Sequence, residues 1–285
     1  MKWKSRNLKA ENVRPFFEPK SVALVGVPRR TGRAAFNILE TLVSCGYPGD
    51  LYPVNPNADS ILGLKVYPQI ESLRYGIELA IIMVPRGMVL STVRSCAKQG
   101  IKAAIIVSDG FAEAGNEGLE LQAQLIKQAR ADGIRLVGPN SLGSINNFHP
   151  FSSSFLPPSL LKEPVALVSQ SGGFFEGFFD FVASKGIDLG NMCDVDFADV
   201  LEYLEVDPDI KLIFLHIEGL KQGQRFLKVA RRVSQKKPIL AMKTGRTAPA
   251  ARAIASHSGS LAGQDELYDA AFRYAGIIRV ENSDE

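Results

Sequence analysis

Short runs of apolar, largely β-branched residues, each closed by a turn residue and followed by a helical pattern, recur along most of this chain. The first is Ser21-Val-Ala-Leu-Val-Gly-Val27, followed by Pro28-Arg-Arg-Thr-Gly-Arg33 and an amphipathic stretch from Ala34 to Tyr47. The cycle returns at Leu51 to Asn55, Glu78 to Val84, Ala103 to Ser108 and Leu136 to Val137. It returns again at Glu163 to Gly173, Lys211 to Gly219 and Pro238 to Gly245. Strand runs without polar alternation are buried on both faces, and strands that alternate with helices build parallel sheets. The predicted fold class is therefore α/β, with doubly wound, mostly parallel sheets. Ligands in such sheets sit beyond the carboxyl ends of the strands.

A chain of 285 residues is too long for one ordinary core and predicts two consecutive domains. Residues 1–15 read as an N-terminal extension and 16–146 as the first domain. The proline- and serine-rich stretch 147–162 reads as a linker, with His149 on its surface, and 163–285 as the second domain. No apolar run approaches the roughly 18 residues of a membrane span, and Met1 to Glu18 lacks the apolar centre of a signal peptide. The expected location is cytoplasmic, with no membrane partner. Cys45, Cys96 and Cys193 are odd in number and form no paired motif, which argues against disulfides and against a metal site. A net charge of +3 is too small to imply nucleic acid.

The candidate ligand loops follow from the strands. The first carries Gly26, Arg29, Arg30, Thr31, Gly32 and Arg33. Its glycine spacing is not that of a dinucleotide fold, and no acid closes the second strand to hold a ribose diol, so a nicotinamide dehydrogenase is disfavoured. Three arginines beside a helix start suit a ligand with several phosphates; taken singly, each is equally a solvated charge. Asn55-Pro56-Asn57, Val84-Pro85-Arg86 and Ser108-Asp109-Gly110-Phe111 are the corresponding loops of the next strands.

In the second half, Ser169-Gln170-Ser171-Gly172-Gly173 joins a strand to an apolar helix. Backbone N–H groups and hydroxyls there form either an anion site or an ordinary N-cap. His216 alternates with Ile217 within an apolar run and reads as a core histidine, whereas Glu218 stands at the strand's carboxyl end, where Lys243 and Arg246 also fall on the next strand. The loop Ile254-Ala-Ser-His-Ser-Gly-Ser-Leu-Ala-Gly263 sets His257 among very small residues. A neutral imidazole there is a competent nucleophile, although by composition the loop equally reads as a polar surface turn.

Phe17 to Gly26, Tyr52 to Asn57, Ile82-Met-Val-Pro85 and Gly138-Pro-Asn-Ser-Leu-Gly143 resemble the coenzyme A-binding domain of the NDP-forming acyl-CoA synthetases, relatives of the succinyl-CoA synthetase alpha subunits. The resemblance covers nearly the whole chain after residue 15. It implies a Rossmann-like domain binding coenzyme A through the first loop with Asn55, Pro56, Val84, Pro85 and Asn140, then a flavodoxin-like domain. In that second domain it implies that His257 is phosphorylated, that Glu218 orients it, and that the turn from Ser169 to Gly173 receives the phosphoryl group. It further implies a small carboxylic acid or acyl-CoA substrate and ATP or ADP with Mg held by a separate ATP-grasp, beta-type partner in a hetero-oligomer. Pro28, Asn57, Asp109 and Ser141 depart from the family's usual residues. A strand-forming segment is also missing between Ile187 and Asp188, which predicts a weakened sheet edge. That loss leaves open a second reading, a non-catalytic coenzyme A-binding or regulatory module.

Overall fold

The computed structural model describes residues 11–32, 37–155, 162–245 and 265–281. The first domain is a five-stranded parallel sheet in the order β2-β1-β5-β6-β7. Its strands are β1 (Ser21–Val25), β2 (Asp50–Val54), β5 (Leu79–Ile82), β6 (Ala103–Ile106) and β7 (Arg135–Val137), with a separate two-stranded hairpin of β3 (Ser60–Ile61) and β4 (Leu64–Lys65). Every residue of β1, β5 and β6 is buried, which is why these strands carry no polar alternation. The chain passes from β1 to β2 on one side and returns to β5 on the other. The sheet's switch point, where crossovers diverge and ligands bind, therefore lies between β1 and β5.

Helices α1 (Ile38–Ser44), α2 (Arg86–Lys98) and α3 (Asn116–Asp132) complete this domain. The Asn37 side chain caps α1 by accepting the Leu39 N–H at 3.0 Å, so the described helix begins later than the amphipathic pattern from Ala34 suggests. Gly133, in the left-handed region at φ 66°, ends α3.

The second sheet has seven strands in the order β14-β13-β12-β10-β11-β8-β9. Its parallel core is β10 (Val165–Ser169), β11 (Lys185–Asp188), β12 (Leu212–Ile217), β13 (Ile239–Lys243) and β14 (Ile278–Val280). Among the described residues four helices connect these strands: α4 (Gly172–Val182), α5 (Phe197–Leu204), α6 (Gly223–Ser234) and α7 (Asp265–Ala275). In α6, Phe226, Val229, Ala230 and Val233 form the buried stripe that a helical period of 3.6 requires. The switch point of this sheet lies between β10 and β12.

Two expectations are corrected here. The end of the range read as the first domain and the start of the segment read as a linker contribute to the second sheet: β8 (Ser144–Asn146) and β9 (Phe151–Ser152) form a buried hairpin whose first strand pairs antiparallel with β11. Nor is the sheet weakened near Asp188. Lys185-Gly-Ile-Asp188 itself forms β11, fully buried and hydrogen-bonded on both sides. The connection into it is short: α4 ends at Val182, and two residues separate it from the strand.

A continuous apolar core runs from one sheet to the other. It starts in the segment read as an extension, where Val13 is wholly buried, and continues through Phe16 and Phe17. The Phe17 ring stacks on Tyr203 of α5 at 4.8 Å. Beneath this contact the ammonium of Lys185, fully buried, meets Asp207 at 2.5 Å and Glu18 at 3.4 Å. The two domains are thus joined, at the amino ends of β1 and β11, by core packing and a buried charge cluster together.

Candidate functional site

At the first switch point, Gly26 leaves β1 with φ +84° and donates its N–H to Val54 O at 3.0 Å. A Cβ at this position would lie 2.7 Å from Met83 O and 2.9 Å from the Val84 side chain. The loops after β1 and β5 therefore touch, and only glycine allows it. Asn55 links the loop of β2 to that of β1 by donating from Nδ2 to Val27 O at 2.8 Å, and its Oδ1 accepts the Asn57 N–H at 2.8 Å. Arg29 reaches across to Asn57 O at 3.4 Å. Arg29, Arg30, Thr31, Gly32, Pro56 and Pro85 are exposed at the mouth of this cradle. Arg33 lies outside the described residues.

Two residues not foreseen from the sequence shape this loop. Asn37 donates to both Pro28 O and Arg30 O at 3.1 and 3.0 Å, and Glu40 accepts the Gly32 N–H at 2.6 Å. An Asn directly before an apolar helical run is a legible N-cap signal; its second role depends on the folded loop.

At the second switch point the turn from Ser169 to Gly173 and the end of β12 come together. Ser169 is in register with His216, and its Oγ accepts the Ser171 N–H at 3.0 Å and donates to Ser171 O at 2.9 Å. His216 Nδ1 lies 3.3 Å from the same oxygen. With the hydroxyl proton already directed to Ser171 O, Nδ1 carries the hydrogen and donates. The imidazole is stacked on Phe174 at 4.2 Å, and burial, with help from Lys243, pushes its pKa down to about 4. His216 is thus the buried, neutral core histidine expected, and it also braces the turn.

Gln170 makes the decisive link. Its Oε1 accepts the N–H groups of Glu218 and Gly219 at 2.8 and 3.0 Å, tying the turn to the acid. Ser171 Oγ accepts the Phe174 N–H at 3.4 Å, a cap that engages one of the amides heading α4, while a Cβ at Gly173 would meet nothing within 4 Å. The turn thus caps its helix and leaves room for a ligand. Lys243, considered as a phosphate neutraliser, is turned away: it is buried, bonded to Thr244 O and 4.8 Å from the Tyr268 ring centre. His257 and Arg246 lie outside the described residues.

The two domains meet at a cavity of about 240 Å³ that holds Asn140, Ser141 and Leu142 from the first and Gln170 to Gly173, Asp188 and Asn191 from the second. The loop carrying Asn140 follows β7, with Asn140 at φ +57°. It is clamped on one side by Ser108 O, which accepts the Asn140 N–H at 2.9 Å, and on the other by the Asn191 N–H, which donates to Pro139 O at 2.9 Å. Asp188 was not evident from sequence; its side chain accepts the Leu142 N–H at 2.7 Å and the Gly190 N–H at 3.1 Å. Burial raises its pKa to about 7, opposed by those two donors and assisted by the charge of Glu218. Among the described residues no group of His, Cys, Asp and Glu side chains is arranged to hold a metal, and no helix is long and apolar enough to cross a membrane.

The fold and the two sites define a class of two-domain α/β proteins, one domain with a glycine cradle that has Arg29 and Arg30 exposed at its mouth and the other with a Ser-Gly helix turn beside a buried acid. Residues 20–147 match the family described as CoA binding domain, and residues 162–285 the succinyl-CoA ligase like flavodoxin domain. The chain is thus a CoA binding domain followed by a succinyl-CoA ligase like flavodoxin domain, and over both domains it is similar to ADP-forming acetate–CoA ligases. It is 40% identical over 96% of its length to acetate–CoA ligase [ADP-forming] II of Archaeoglobus fulgidus, of which it covers 42%. It is 38% identical over 92% of its length to the alpha subunit of acetate–CoA ligase [ADP-forming] I of Pyrococcus furiosus, covering 59% of that protein. A solved structure of the dinucleotide-forming acetyl-coenzyme A synthetase 1 of Ca. Korarchaeum cryptofilum, in complex with phosphate and ADP, superposes with a TM-score of 0.88. It is 35% identical, and the match covers 95% of this chain and 60% of that one. The chain thus spans between about two fifths and three fifths of these relatives.

Proposed function

We propose that this chain is the coenzyme A-binding and phosphoryl-carrying part of an acid–thiol ligase that interconverts acid, coenzyme A and ATP with acyl-CoA, ADP and phosphate. Coenzyme A sits at the first switch point, on Gly26 to Arg33 with Asn55, Pro56, Val84, Pro85 and Asn140. The fit rests on the glycine cradle, which any side chain would fill, and on the exposed arginines at its mouth. Phosphate attacks the acyl-CoA thioester to give an acyl phosphate and free thiol, and the His257 imidazole then takes the phosphoryl group as the carboxylate leaves. Glu218 orients the imidazole, and the turn from Ser169 to Gly173 takes the charge of the transferring oxygens. An ATP-grasp partner, domain or subunit, exchanges the phosphoryl group with ADP and holds the Mg that goes with it.

The observation that carries this reading is the pair of hydrogen bonds that the Gln170 side-chain oxygen accepts from the backbone N–H groups of Glu218 and Gly219. It ties the turn from Ser169 to Gly173 to a strand-end acid, next to a cavity shared with the first domain, and so supports the reading of that turn as the anion site. The experiment is incubation with labelled phosphate and acyl-CoA, or with labelled ATP and an ATP-grasp partner, followed by an acid-lability test and peptide mapping. Acid-labile label on His257, abolished in His257→Asn, is the expected result. Label elsewhere overturns the reading, and no label despite coenzyme A binding and a competent partner leaves the chain a binding module.

A further inference from the structure

Among the described residues Asp188 is the one fully buried carboxyl that faces the cavity between the domains, and the phosphoryl chemistry above makes no use of it. Its position follows from topology. β11 ends at the second switch region, directly beside the end of β10, and the loop that follows carries Gly190, at φ +52°, against the carbonyls of Pro139 and Asn140. The carboxyl is held from both domains, Oδ2 accepting from Leu142 N at 2.7 Å and Oδ1 from Gly190 N at 3.1 Å. A Cβ on Gly172, the first residue of α4, would lie 3.6 Å from Oδ2. The carboxyl therefore sits against the amino end of the helix whose turn is read as the anion site.

We infer that Asp188 couples occupancy of that anion site to proton uptake. In its neutral form it admits a phosphate-type oxyanion beside Gly172; in its ionised form it answers the helix's amino end itself and repels the anion. The inference rests on the reading of Ser169 to Gly173 as an anion site.

The charged neighbours support the coupling. Glu218, beyond the end of β12, adds negative charge toward Asp188. Lys221 spends its ammonium on the carbonyls of Asn191 and Met192, at 2.7 and 3.1 Å. Lys243 is directed at Thr244 O and Tyr268, and Glu113 takes the Asn191 amide. Among the described residues no cation lines the cavity, so two anions in it would face each other in a buried, weakly screening environment. Burial holds the Asp188 carboxyl at about 7, which puts its ionisation within an ordinary working range and well above that of an exposed aspartate. A carboxyl kept neutral in this way is also able to donate a hydrogen bond to an oxyanion.

Calorimetric titration of the full chain with sulfate tests this, since sulfate does not titrate near neutrality as phosphate does. The titrations are run between about pH 6 and pH 9 in buffers of differing ionisation enthalpy, in a His257→Asn background so that His257 contributes no proton. Sulfate affinity is expected to hold steady below about pH 7 and to fall by up to about tenfold per unit above it, with up to about one proton taken up per sulfate. Asp188→Asn should bind sulfate with no such slope and no linked proton. The same slope and proton uptake in Asp188→Asn overturn the coupling while leaving the anion site in place. Absence of sulfate binding in both proteins, or binding unaffected by Ser171→Asp, removes the anion site and the coupling with it. Circular dichroism of each variant separates these outcomes from misfolding.

Discussion

Gln170 and Glu218 are joined by a hydrogen bond of 2.8 Å from the Glu218 backbone N–H to the Gln170 side-chain oxygen, which also accepts the Gly219 N–H at 3.0 Å. Both donors are buried, so the turn after β10 and the end of β12 hold one geometry only while this acceptor is present. Gln170→Leu leaves both N–H groups without it, at a cost of about 1–3 kcal/mol for each buried group stranded. Urea unfolding should show that loss, and labelling of His257 should fall with it. Gln170→Glu, which keeps an acceptor, should retain more of the stability. Equal midpoints for Gln170→Leu and the parent would show that the turn is not anchored here.

His216 makes stability depend on acid. Burial and Lys243 lower its pKa to about 4, whereas the unfolded chain has the ordinary value near 6.5. Between these values the unfolded state binds the extra proton, so stability decreases as pH falls from about 6.5 to about 4 and this contribution levels off below. The total is roughly 3 kcal/mol. His216→Gln should flatten that part of the profile measured by denaturant unfolding. An unchanged slope would mean the imidazole is not held neutral.

Lys185 should be among the costliest charged residues to remove. Its ammonium is wholly buried against Asp207 at 2.5 Å, with Glu18 at 3.4 Å. Lys185→Met leaves Asp207, itself buried, without its counter-charge, and losing one partner of such a pair costs about 3–5 kcal/mol. Glu18→Gln should cost less, because Glu18 is partly exposed and its contact is longer. Comparable losses in the two variants, read from urea midpoints, would contradict this ranking.

Gly26→Ala should disrupt coenzyme A binding without touching a charged residue. The new Cβ would lie 2.7 Å from Met83 O, on a backbone at φ +84° that side chains disfavour by about 1–2 kcal/mol. Calorimetry with coenzyme A should show weaker binding and thermal unfolding a lower midpoint. Arg29→Ala should weaken binding while leaving the midpoint nearly unchanged, because Arg29 is exposed and its contact to Asn57 O is long, at 3.4 Å. Binding unchanged in both variants would place the ligand elsewhere.

What the chain's own sequence determined is what neighbouring residues can encode. Unalternating apolar runs specify strands buried on both faces, and turn residues after them specify where the ligand loops start. In this way Gly26, Asn55, Val84, Ser169 and Glu218 were legible as strand-end residues before any fold was known, and family motifs in order supplied the expected ligand. Tertiary structure alone decided which strand ends became neighbours. Placing β10 between β11 and β12 brought Gln170 to Glu218 and set Asp188 against α4, pairs separated by 48 and 16 positions respectively. The same packing drew β9 out of a stretch with no clear period, paired it with β8, and turned Lys185, a charge in a short run, into a fully buried one. Burial, proton affinity and the company of other charges depend on the summed contacts of distant segments, and no local pattern of residues records that sum.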